Sequence, residues 1–256
     1  MDTRRPPLWW ELPVALVGFI ICTSLSRATF GRDKMALAIA NAEHVLALER
    51  HLGLDVEQPA NDWLSRQGIV TIIAGYHYAT LYVITSIAVL VYLYLRRPPL
   101  YRWARRSALV LNLLAAICFA LYPVAPPRLL PEVAIVDTVS RQAIWGTWGS
   151  PVGDAVNQLA ALPSLHFAWV LWVLVMLVIS TRSVVLISLA SADVILTALV
   201  VVATGNHYPL DLVAGGLLVL VSVPLTRPWS QQRRDRTVVR LGRLGAAMRR
   251  TAILTR

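Results

Sequence analysis

The chain predicts an all-α protein that crosses a membrane several times, and three observations predict it. Of its 256 residues, 57% are hydrophobic, and with a mean hydropathy of +0.60 that is more apolar than an ordinary soluble domain. The apolar residues fall into long runs, and two of them, Phe167 to Ser180 and Val184 to Ala203, are with their flanks roughly 20 residues, about the length an α-helix needs to cross the hydrocarbon core. Arginine is shared unevenly among the connecting segments, the bias that orients membrane helices. Six runs can be counted, so the expectation is a polytopic protein with six transmembrane helices and both termini cytoplasmic.

The first run, Leu12 to Leu25, follows Arg4 and Arg5. No A-x-A site follows it, so it reads as a retained helix rather than a signal peptide. Residues 32–66 mix Met35, Ile39, Val45, Leu46 and Leu48 with Asp33, Lys34, Glu43, Glu49 and Arg50. That mixture predicts amphipathic helices on the membrane surface, with Gly53 as a C-terminal stop and a restart near Pro59 and Asn61. His44 and His51 fall in this segment and are expected to be solvated. The second span covers about Ile69 to Leu95 and carries Tyr76-His77-Tyr78 near its start. Arg96, Arg97, Arg102, Arg105 and Arg106 are assigned to the next loop. A third span, about Ala108 to Tyr122, ends at Pro123-Val124-Ala125-Pro126-Pro127-Arg128. The loop Leu129 to Ala161 is polar, with Trp145 and Trp148 suited to headgroup level. Spans four and five, Phe167 to Ser180 and Val184 to Ala203, form a hairpin turning at Arg182. A sixth covers about Leu210 to Leu225. Residues 1–228 thus form one membrane-embedded domain, and 229–256 a basic tail.

The formal net charge of +10 raises the question of nucleic acid, and the placement of the arginines answers against it. With the N-terminus inside, the inner segments hold Arg4, Arg5, the five arginines after span two, Arg182, Arg227 and the whole tail. In the tail Val238, Leu241, Leu244 and Met248 recur at helical spacing among arginines, which suits an anionic inner leaflet. The two cysteines, Cys22 and Cys118, lie inside apolar runs and imply no disulfide framework.

The hairpin brings two polar clusters to one face of the membrane: Pro163-Ser164-Leu165-His166 and Asn206-His207-Tyr208-Pro209-Leu210-Asp211. His207 and Asp211 are four apart and are expected to share a helix face. A carboxylate accepting from Nδ1–H would leave Nε2 of His207 free as base or nucleophile. His166 supplies a second imidazole to protonate a leaving oxygen. Arg128 offers a planar fork for phosphate oxygens. Ser164 and the N–H groups opening helix four are candidates to help hold the anion. Together these residues fit phosphoryl transfer through a phosphohistidine, with no metal and no cofactor. His77 and Tyr76 are candidate substrate-binding residues, a structural hydrogen bond being an equal alternative for His77. Asp193 falls near the middle of span five, roughly 20 Å from His207 by helical rise, and reads as a paired structural carboxyl.

Pro163-Ser164-x-His166 followed by His207-x-x-x-Asp211 resembles the type 2 phosphatidic acid phosphatase (PAP2) superfamily. Ala125-Pro126-Pro127-Arg128, Ala160 to His166 and Thr204-Gly205-Asn206-His207-Tyr208 are similar to its branch of inositol phosphorylceramide synthases and bacterial relatives. Leu165 stands where the superfamily has Gly, and Val200-Val201 stand where it has Ser-Arg. The resemblance covers about Glu49 to Gly216. It implies His207 as nucleophile, Asp211 as its orienting group, His166 as general acid and Arg128 as phosphate ligand, with Asn206 and Ser164 as substitutes for the family's missing arginine in the phosphate cradle. The expected substrate is then a phospholipid or polyprenyl phosphate met at the extracytoplasmic face. The expected activity is transfer of an inositolphosphoryl-type headgroup, with a lipid phosphate phosphatase as the alternative. A proton-coupled transporter using Asp193 and the histidines as a relay is a distant third.

Overall fold

The computed structural model describes residues 34–141 and 157–227, together with 9–11, 13–14, 17–18, 21 and 24. The expected basic tail, Trp145, Trp148 and most of the expected first span lie outside the described residues. Seven helices organise the rest: α1 Met35–Leu52, α2 Glu57–Ser65, α3 Gly68–Arg96, α4 Pro98–Leu121, α5 Leu165–Ser180, α6 Val184–Ala203 and α7 Pro209–Leu225. A five-residue π-turn, His77–Leu81, interrupts α3. The described residues contain no strand; a single bridge joins Val124 to Ala160.

Local chemistry sets the helix ends. Gly53 closes α1 in the left-handed region at φ +67°, where a residue without Cβ meets no penalty. Ser164 and Ser183 cap α5 and α6, accepting from Phe167 N–H and Leu186 N–H. The expected arginine loop after span two is corrected by the structure. Pro98 and Pro99 open α4 at once, a position that suits a residue with no N–H and a fixed φ. Arg102, Arg105 and Arg106 therefore ride on the first turns of a helix. Arg105 Nη1 meets Glu11 Oε2 at 2.7 Å, with Arg102 beside the same carboxylate.

Among the described residues three helices, α3, α4 and α6, are long and apolar enough to cross a membrane. α5 and α7 are apolar but shorter, at 16 and 17 residues. At 1.5 Å per residue they span roughly 25 Å, short of the roughly 30 Å core. α5 is the hub, packing against α3, α4, α6 and α7. Phe119, Leu111, Trp172, Met176 and Leu218 are among the buried side chains where these helices meet. Indole N–H groups in this core are paired, Trp172 to Ser107 Oγ and Trp103 to the Val223 carbonyl, both at 2.9 Å. Ile69, Ile73, Leu121, Val184, Leu199 and Leu220 are exposed, an apolar exterior that suits lipid.

α1 and α2 pack on the loops that carry the polar clusters. Ala38, Ala42, Val45 and Leu46 are buried in one cluster with Val124, Ala125, Ala161 and Tyr208. Asn41 Nδ2 donates to the Pro123 carbonyl at 2.8 Å. Fully buried Asn61 donates to the carbonyls of Val136 and Ala203 and accepts from Val136 N–H. One amide side chain thereby joins α2, the loop after Arg128 and the end of α6.

Glu49, also fully buried, accepts from Leu210 N–H at 2.7 Å and so caps the start of α7. Burial first, then a hydrogen bond with the Glu57 carboxyl, pushes the Glu49 carboxyl well above the usual carboxylate range. The folded chain thus keeps a proton that the unfolded chain has lost at neutral pH. This stabilisation is full below the unfolded pKa and declines as pH rises through the folded one. Thermal stability in detergent is expected to fall from about pH 5 to about pH 9. Glu49→Gln, neutral throughout and still an acceptor for Leu210, should flatten that slope. An unchanged slope in the variant would remove Glu49 as its source.

Candidate active site

The cluster forms where α5 and α7 begin. Gly215 brings the two helices together, since a Cβ there would stand 2.5 Å from the Ser164 carbonyl oxygen. Ser164 N–H donates to the Asp211 carbonyl at 3.0 Å. The buried Ser164 hydroxyl accepts from Phe167 N–H at 3.4 Å, so its observed contact is the helix cap.

His207 does not share a helix face with Asp211. Pro209 starts α7, which makes Tyr208 the N-cap and leaves His207 outside the helix. Asp211 instead folds back as a capping carboxylate, its Oδ2 accepting from Tyr208 N–H at 2.8 Å. The same oxygen lies 3.2 Å from His207 Nδ1. Nδ1 also meets the Ala161 carbonyl at 2.9 Å. Both neighbours of Nδ1 are acceptors, so that nitrogen carries the hydrogen and Nε2 keeps its lone pair. His207 is 3% exposed and Asp211 fully buried.

The His166 ring centroid is 5.6 Å from that of His207. Two tyrosines of α3 hold it. Tyr78 stacks on it at 4.2 Å with planes 20° apart, and Tyr82 meets it edge-on at 4.3 Å. Tyr78 and Tyr82 are four apart and span the π-turn, so both reach the same ring. Tyr76, a candidate from sequence, is 48% exposed and is absent from this wall. Two residues from Tyr78, it lies on nearly the opposite side of the helix.

Arg128 enters from the turn Pro127–Leu129. Its N–H donates to the Gly205 carbonyl at 3.0 Å. Gly205 has φ +70°, and a Cβ there would collide with Ile135, so this approach requires glycine. Arg128 Nη1 donates to Asn206 Oδ1 at 2.5 Å, and Asn206 Nδ2 donates to Thr204 Oγ1 at 2.9 Å. Asn206 therefore orients the guanidinium. Asp137 lies 3.4 Å from Arg128 Nε while its carboxylate caps the turn Thr138–Arg141 through Ser140. Burial lowers the pKa of Arg128 from its ordinary value, while Tyr78 and Asp137 act in the opposite direction.

The structure brings His166, His207, Asp211, Arg128, Ser164 and Asn206 together. His77 lies in the wall through its neighbour Tyr78, and its Nε2 is 3.0 Å from Asp193 Oδ1. Asp193 is thus paired as expected. A side chain from α3 connects it to the residue beside His166. Sequence reasoning missed Tyr82, Asp137, Asn61 and the buried role of Glu49. Apart from the Tyr78-x3-Tyr82 spacing, no motif marks them. His44 and His51 are exposed, and Cys118 is half-buried without a disulfide.

A family model described as the PAP2 superfamily matches residues 43–225, more than half of the chain. No curated protein and no solved structure matches the chain.

Proposed function

Because the chain belongs to the PAP2 superfamily, we propose that it is a membrane lipid phosphotransferase acting through a phosphohistidine at His207. The observation that carries this reading is the locked tautomer of His207. Two acceptors hold Nδ1, and Nε2 keeps its lone pair beside a second imidazole and a buried guanidinium. In the first step Nε2 attacks phosphorus and the bond to the lipid-side oxygen breaks. His166, taking up a proton as the anionic substrate binds beside it, gives that proton to the departing oxygen. Arg128 neutralises charge on the non-bridging oxygens. In the second step an acceptor hydroxyl attacks the phosphohistidine, its proton passes to His166, and the P–N electron pair returns to Nε2.

The similarity of Ala125 to Arg128 and Thr204 to Tyr208 to inositol phosphorylceramide synthases favours a phosphorylated headgroup as cargo and an alcohol as acceptor. Hydrolysis, with water as acceptor, uses the same intermediate and is the second reading. Apart from Asp211, the residues proposed to hold the phosphate are neutral or cationic, so the proposed mechanism calls for no divalent cation. The arginine bias supports six spans, cytoplasmic termini and a site at the outer leaflet.

Labelled phospholipid, with and without an alcohol acceptor, tests this. Label appearing on the acceptor, undiminished by a chelator and suppressed by vanadate, is the expected result. Release of all the label to water, as free headgroup phosphate or, from a phosphomonoester lipid, as inorganic phosphate, would make it a hydrolase, and activity lost to chelator and restored by magnesium would remove the mechanism. An impermeant aryl phosphate given to intact cells reads the side. Turnover only after the membrane is opened would place the site inside.

A further inference from the structure

A second histidine–aspartate pair stands next to the site, and the mechanism above does not use it. His77 on α3 and Asp193 on α6 meet at 3.0 Å, with side chains only 8% and 11% exposed. Both belong to helices of membrane length, where an ionisable residue is costly and by default functional. The Asp193 carboxylate accepts, so His77 Nε2 carries the hydrogen and Nδ1 presents a bare lone pair. Nδ1 is buried and has no partner among the described residues. In His207 the arrangement is reversed, with Nδ1 held and Nε2 bare.

A buried acceptor without a donor is costly, and the described residues supply none to His77 Nδ1, which leaves that position open to a bound ligand. The surroundings of His77 indicate which. It opens the π-turn His77–Leu81, an interruption that α-helices carry mostly at functional sites. The next residue, Tyr78, lies flat against His166. His166 handles the departing oxygen and, by microscopic reversibility, the incoming one, so the rest of the alcohol extends past its ring.

We propose that His77 and Asp193 form an alcohol-binding dyad in which His77 Nδ1 accepts a hydrogen bond from a second hydroxyl of a polyol acceptor. This rests on the phosphotransferase reading. The dyad makes and breaks no covalent bond; Asp193 fixes the tautomer and His77 selects an acceptor with more than one hydroxyl.

The test uses the full-length protein in detergent, 4-nitrophenyl phosphate as donor, and glycerol or 1-propanol as acceptor. Alkyl phosphate and inorganic phosphate are both measured. The wild type should favour glycerol. His77→Leu should reduce the preference for glycerol over 1-propanol about tenfold, the size of one lost hydrogen bond, whatever it does to the overall rate. In His77→Asn the amide carbon replaces the ring Cγ, which puts an acceptor oxygen near the Nδ1 position. That variant should recover part of the preference and carries the comparison should the leucine variant not fold. A glycerol preference unchanged in both variants would overturn the dyad alone and leave the phosphotransferase standing. A wild type that forms phosphoenzyme but releases only inorganic phosphate would overturn both.

Discussion

His207→Ala is expected to stop turnover of every phosphate ester, lipid or soluble, by on the order of 10⁴-fold or more. In the proposed mechanism Nε2 of His207 is the only atom that attacks phosphorus, and neighbouring groups cannot replace it. His166 is held between Tyr78 and Tyr82, so its ring is not free to swing into the vacant place. The measurement is radiolabel retained on protein after a brief exposure to labelled donor, together with product release. Asp211→Asn should be milder. The Ala161 carbonyl still holds His207 Nδ1–H, so the tautomer survives while the charge that stabilises the developing imidazolium is lost. Label on the protein in His207→Ala, at wild-type amount, would mean that another residue is the nucleophile.

How much of this was readable beforehand depends on the kind of signal. Apolar runs and the hairpin between His166 and His207 were legible because burial in lipid imposes composition over some twenty positions at once. The site motif was legible because its members sit within a few residues of helix starts. Single residues with long-range partners were not. Asn61 bonds across 142 positions to Ala203, and Glu49 across 161 to Leu210. A lone carboxylate among Arg50, Glu43 and Lys34 reads as solvated, yet Glu49 is the one that folds inward. Tyr76 and Tyr78 could not be told apart without the helix phase, and the π-turn lies between that phase and Tyr82. The shared face expected of His207 and Asp211 failed for a local reason. Proline at 209 fits the first turn of a helix, so the helix begins after the histidine.

The partition of labour between the histidines predicts an outcome that a general loss of structure would not produce. His166 is assigned the proton for the departing oxygen. A lipid alkoxide is too basic to leave without it, and general acid catalysis of this kind supplies about 10²- to 10⁴-fold. An aryl phosphate departs as a phenolate and hardly needs the proton. His166→Ala should therefore lose activity on lipid by about that factor while still phosphorylating His207 from a soluble aryl phosphate. Breakdown of the intermediate should then be slow, because His166 also takes the proton from the incoming hydroxyl. A burst of phenolate matching the enzyme concentration, followed by slow turnover and stable label on the protein, is the expected signature. The cavity left between Tyr78 and Tyr82 tests for collapse of the aromatic wall. His166→Phe refills it without a proton donor and should show the same burst. If both variants lose the burst while His207→Ala keeps it, the roles of the two histidines are reversed.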